Sequence, residues 1–271
     1  MTPHEPAGTA LEQLDALEVD AMLADPARKQ QFVTPMFDVI APRYDEFTRL
    51  FSFGMDRGWK ALLLERVRHR LPDGARVVDV ACGTGDLIAA LASDPRVIRR
   101  LGVDASHEMI IAASRRHAPA TAHFVTGDIM SLPLAPASVD LVTAGYAIRN
   151  VPSTEAALTE LARVIAPGGW LAVLDFYRPP AAWWRVLFLG YLRVAGDIVG
   201  WWWHRRPVVY GYIARSIAAF TTADEFSVAL TRAGFDVVEQ RTFLLGGIAL
   251  HLARRPESDR RAGHPAIGAA A

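Results

Sequence analysis

The chain has 271 residues, 51% hydrophobic and 21% charged, which excludes global disorder and leaves room for one sizeable α/β domain with additions. Lys plus Arg and Asp plus Glu total 29 each and cancel, so the one-sided basic field of a general nucleic-acid binder is absent and no nucleic-acid partner is expected. A single cysteine, Cys82, excludes an intrachain disulfide, and an N-terminus with early acids and no apolar run does not read as a secretory signal. A cytoplasmic protein is expected.

Residues 1–27 and 256–271 lack a pattern and read as disordered ends around a single domain over 28–255. That domain divides into a helical segment (28–70), a ligand-binding core (71–176), a helical insertion (177–234) and C-terminal strands (235–255). ARVVDV (75–80) predicts a strand and DLIAALAS (86–93) a helix. VIRRLGVD (97–104) predicts a second strand, with the helical SHEMIIAASRRH after it. AHFVTGD (122–128) and SVDLVTAGYA (138–147) predict two more. TEAALTELARVI (154–165) carries apolar residues at helical spacing, with Ser153 or Thr154 as its cap. APGGWLAVLDF (166–176) reads as a glycine turn entering a strand. FDVVEQRTF (235–243) and GGIALHLARR (246–255) read as an antiparallel pair joined by a tight connection. Strands alternating with helices predict a doubly wound, mostly parallel sheet with that pair at one edge.

AAWWRVLFLGYLRVAGDIVGWWWHRRP (181–207) is apolar but interrupted by Arg185, Arg193 and Asp197, so it does not span a bilayer. Its Trp, Phe and Leu suit a transient contact with a membrane surface through 181–203, a wall around an apolar tail, or burial against the sheet.

Ligands of such sheets bind beyond the carboxyl ends of the strands. DVACGTGD (79–86) closes the first strand, and Gly83 and Gly85 let backbone turn sharply there. Asp104 ends the second strand about twenty residues on, where an acid can take two ribose hydroxyls. A nucleoside-bearing ligand is implied. Ile88 occupies the third glycine position of a dinucleotide fingerprint, and no lysine follows for a phosphate loop.

The order from Asp79 to Gly85, together with Asp104, Asp128 and Pro167-Gly168-Gly169, resembles the class I S-adenosylmethionine-dependent methyltransferases. Three stretches resemble a narrower group, the ubiquinone/menaquinone C-methyltransferases. These are FDVIAPRYDEFTRLFSFGMDRGWK (37–60), TAGYAIRNV (143–151), and YGYIARSIAAFTTADEFSVALTRAGF (210–235) followed by GGIALHLA (246–253). The resemblance implies a Rossmann-like fold with a seven-stranded sheet, S-adenosylmethionine as cofactor, and a small hydrophobic quinol as substrate. It implies cofactor contacts at Gly83, Thr84, Gly85, Asp104, Asp128 and Ile129, and catalytic roles for Arg149, Asn150 and Tyr44.

Arg149 is cast as the electrostatic partner of a phenolate, with a structural ion pair as the competing role. Asn150 either orients the acceptor or caps its turn, and Tyr44 either closes a lid or packs. Several positions depart from the family: Phe47-Thr48 for Met-Asn, Asp56 for His, Gly145 for Ser, and Asp175-Phe176-Tyr177 for Glu-x-Ser. They point to a divergent member or to another small aromatic or lipid-like acceptor. A noncatalytic cofactor-binding module is the reading from a different class. His204, His251 and the other histidines lack ligand spacing, so no metal site is expected. A homo-oligomer, peripheral at the inner face of a membrane, completes the expectations.

Overall fold

In the computed structural model, residues 25–41, 46, 48–49, 52, 54–118, 121–203 and 207–257 are described. Tyr44, His204 and nearly all of the two expected disordered ends lie outside them.

Among the described residues, α1 (Pro26–Ile40) and α2 (Asp56–Arg68) precede the sheet. Then β1 (Ala75–Val80), α3 (Asp86–Leu91), β2 (Val97–Asp104), α4 (His107–Arg116), β3 (His123–Thr126) and β4 (Val139–Gly145) alternate. A single 3-10 turn, Ile148–Asn150, leads into α5 (Thr154–Val164) and β5 (Ile165–Phe176). Next come α6 (Ala182–Trp203), α7 (Pro207–Ala219) and α8 (Ala223–Arg232), and β6 (Asp236–Phe243) and β7 (Ile248–Arg254) end the domain. No helix among the described residues is long and apolar enough to cross a membrane.

The sheet order is β3-β2-β1-β4-β5-β7-β6. From β3 to β5 all pairings are parallel, while β7 runs antiparallel to both β5 and β6. The expected antiparallel pair is present, and tertiary pairing adds that β7 slots inside β6. The chain moves outward one way from β1 through β2 and the other way through β4, which makes the carboxyl end of β1 the switch point.

Strand alternation sorts the apolar residues into two cores. Val77, Leu141, Ala172, Leu174 and Leu250 face α1, α2, α3, α6 and α7. Val78, Val80, Val142, Val173 and Ala249 face α5 and α8. Local capping defines the second pair of helices: the Ser153 hydroxyl accepts from Ala156 N–H, and Thr222 and Glu225 form a capping box on α8. On that same side His251 is buried, bonded to the Tyr177 hydroxyl at 3.2 Å and to the Ala223 carbonyl at 3.1 Å. Burial pulls its pKa down to about 4, so it is a neutral core residue.

Candidate active site

At the corner after β1, Ala81, Gly83 and Gly85 all have left-handed backbone, with φ of 48°, 54° and 84°. A Cβ on Gly85 would lie 2.8 Å from the Phe124 ring, so both conformation and space require glycine. Asp104 reaches across from the end of β2. Its Oδ2 accepts from Gly83 N–H at 2.8 Å and its Oδ1 from Ser106 N–H at 2.9 Å. Burial raises the Asp104 pKa, and those two N–H groups oppose the rise. Ser106 caps α4 and also donates to Asp38, which brings α1 over the second crossover. Thr84 is buried and held by Arg116 at 3.3 Å and His117 at 3.0 Å.

Cys82 packs its sulfur against Gly102, where a Cβ would come within 2.8 Å. Burial pushes the thiol well above its usual pKa, so it is a packing group. Asp128 accepts from Met130 N–H at 2.9 Å and closes its own turn, and Ile129 is buried in the second core.

The crevice beside this corner is lined by Lys60, Asp79, Thr84, Asp86, Gly145 and Tyr146 among others, with a volume of about 20 Å³. Asp79 accepts from the Thr143 hydroxyl at 2.6 Å, and burial raises its pKa to about 7. Lys60 lies 3.4 Å from Asp86 and 6.0 Å from the Tyr146 ring centroid. A Cβ on Gly145 would meet Leu87 at 2.9 Å, which explains glycine in place of serine. The glycine cradle and the Asp104 carboxylate suit a nucleoside. The volume does not: sites for ligands of that size need about 300 Å³ or more, so the crevice must widen on binding. A larger cavity of 540 Å³ opens at the amino ends of β1 to β4, against Arg99, His123 and Ser138. It lies at the wrong end of the strands for this ligand class.

The turn after β4 is a hub. Arg149 is 6% exposed, and its Nη1 donates to Asp175 Oδ1 at 2.7 Å and to the Tyr146 carbonyl at 2.9 Å. Its backbone N–H reaches Asp175 Oδ2 at 3.2 Å, and its guanidinium lies 5.2 Å from the Phe176 centroid. Asn150 donates to the Tyr146 carbonyl and accepts from the Tyr212 hydroxyl, each at 3.0 Å. Lys29, from α1, donates to the carbonyls of Arg149 and Val151, each at 2.8 Å. Burial first, then the Arg149 charge, lowers its pKa to about 8.

Sequence reasoning singled out Arg149 and Asn150 but missed Asp175, Lys29, Tyr146 and Tyr212 as their partners. The only available signal was Asp175 in a Glu-x-Ser position. Lys29 lies 120 residues from Arg149 and left no trace.

The family described as ubiE/COQ5 methyltransferase matches residues 26–255. The chain belongs to that family. It is therefore a methyltransferase, with S-adenosylmethionine as its cofactor. A Campylobacter jejuni relative, named ubiquinone/menaquinone biosynthesis C-methyltransferase UbiE, is 32% identical over 84% of this chain and 99% of its own. A Thermus thermophilus relative named demethylmenaquinone methyltransferase is 35% identical over 82% of this chain and all of its own length. A solved SAM-dependent methyltransferase from Thermotoga maritima shares the fold at 22% identity, with a TM-score of 0.55, covering 81% of this chain and 99% of that one. Among the described residues of this methyltransferase, no cluster of His, Cys, Asp or Glu could hold a metal ion.

Proposed function

We propose that this methyltransferase adds a methyl group to a ring carbon of a prenylated quinol, as in the conversion of demethylmenaquinol to menaquinol. The observation that carries the reading is a family match running unbroken through the corner, the Arg149 turn and the C-terminal strands. The bound cofactor supplies an electrophilic methyl group on a sulfonium. Everything else falls to the protein, which must exclude water and align the acceptor carbon.

In this reading Asp104 takes the ribose hydroxyls through the lone pairs left beside its two N–H contacts. Gly83 and Gly85 bring backbone against the ligand. Tyr146, held by its carbonyl to Arg149 and Asn150, forms the wall between cofactor and acceptor. Arg149 works by position. With its charge committed to Asp175, it fixes that wall, and an acceptor phenolate would compete with Asp175 for the same guanidinium.

Asp175-Phe176-Tyr177 is one of the four departures, with Phe47-Thr48, Asp56 and Gly145, that point to a divergent member or another acceptor. Of that stretch, Tyr177 is fully buried against His251, Phe226 and Phe220, while Phe176 packs on the Tyr146 ring at 5.3 Å. The test incubates purified protein with labelled S-adenosylmethionine and reduced demethylmenaquinone. A product one methyl heavier on the ring is expected by mass spectrometry. An unmodified quinol beside turnover of an unrelated aromatic acceptor would overturn the reading.

A further inference from the structure

We propose that one face of α6 and the Leu244–Gly246 turn together form an apolar surface that docks this methyltransferase flat on a lipid bilayer. The choice of a bilayer rests on the acceptor reading above, since a prenyl tail resides there.

On α6, Trp183, Val186, Leu187, Val194 and Ile198 are 58–72% exposed. At 100° per residue all five fall on about one third of the helix surface, together with the positions of Gly190 and Asp197. The opposite side is committed: Phe188 and Leu192 are buried, and Trp184 donates its indole N–H to the Leu244 carbonyl at 2.7 Å. That bond ties the helix to the turn between β6 and β7. Leu244 and Leu245 both have left-handed backbone, with φ of 48° and 49°, and Leu245 is 62% exposed. Two successive leucines in this conformation are strained, and here the strain holds an apolar side chain out in water. Of the ten large hydrophobics exposed among the described residues, six lie on this helix face and this turn. A scatter of single exposed residues needs no partner, but a concentration does.

The surface also lies at the correct end of the sheet. Ile248, just after the turn, pairs with Phe176 at the carboxyl end of β5, and Tyr177 N–H donates to the Gly247 carbonyl at 3.0 Å. Asp175 and the Arg149 hub sit one residue away in that strand. An acceptor whose tail stays in lipid would enter from this edge.

Area and charge choose among occupants. The stripe spans about 22 Å of helix and is one helix wide, an area of a few hundred Å², while a stable dimer needs about 800 Å² per partner. In the sequence the helix carries Arg185, Arg193 and Asp197, a net charge of +1, which is little for a charged partner. A mainly apolar face with few charges matches the headgroup–acyl boundary, where a helix lies in the plane of the surface rather than across it.

The test compares the full chain with a Leu187→Glu/Leu245→Glu variant. Both residues are exposed and lie outside the proposed site, so the melting temperature should be unchanged. Wild type is expected to co-sediment with phosphatidylcholine vesicles equally well with or without phosphatidylglycerol, and the variant more than about tenfold less. Methylation of a short-tailed quinol in detergent-free buffer should match wild type, while methylation of a long-tailed quinol in vesicles should fall. Failure of both proteins on the short-tailed quinol would sink the acceptor reading alone. Equal sedimentation of both proteins, binding only to phosphatidylglycerol vesicles, or a dimer in light scattering that the substitutions abolish would each overturn the docking surface.

Discussion

Asp79 and Asp175 are both buried at the carboxyl half of the sheet, yet the chain treats them oppositely. Asp79, in the corner after β1, accepts from the Thr143 hydroxyl at 2.6 Å and from the Ile88 backbone N–H, and burial raises its pKa to about 7. Asp175, in the hub, meets a guanidinium at 2.7 Å and a backbone N–H at 3.2 Å. Burial against mainly uncharged donors raises a carboxyl's pKa, whereas a carboxyl facing arginine belongs to a pair whose members cannot be removed singly. The corner encloses a narrow crevice of about 20 Å³. The hub is cross-braced by α1, β5 and α7 and serves as the rigid wall.

Breaking the hub should have the largest effect. Arg149→Ala strands Asp175 in the interior and is expected to cost about 3–5 kcal/mol in denaturant melts. Turnover should fall much further than the folded protein's affinity for cofactor. Unchanged stability would mean that the hub is not a brace.

The corner is probed by pH. The folded pKa of Asp79 lies above its unfolded value, so its contribution is complete below about 3.8 and is lost as pH rises through about 7. The swing is up to roughly 4 kcal/mol. Asp79→Asn should flatten that part of the stability profile, read from guanidinium midpoints at successive pH values. His251 acts in the other direction, losing stability as pH falls from about 6.5 to about 4, so the comparison is made between variant and wild type. An identical slope in both proteins would erase the distinction between the two aspartates.

The smallest change separates ligand binding from bracing. Asp104→Ala should weaken S-adenosylmethionine binding by about 2–3 kcal/mol, or roughly 30- to 160-fold, by calorimetry. Undiminished affinity would remove the ribose contact from the corner.

The strands, the Ser153 cap and the glycine corner were legible because each depends on neighbours in the chain: alternation of apolar residues, a hydroxyl before a helix, a glycine where φ turns positive. So were the positions of Asp104 and Arg149, which stand at the ends of predicted strands. Their partners were not. The placement of β7 inside β6, the lysine of α1 clamped on the Arg149 turn, the Tyr177–His251 contact and the exposed face of α6 joined to Leu245 all link residues far apart in sequence. Local pattern carries the choice of element and the chemistry at its ends. Which buried charges meet, and which apolar face is left uncovered, is decided only when the folded chain excludes water and distant groups must satisfy one another.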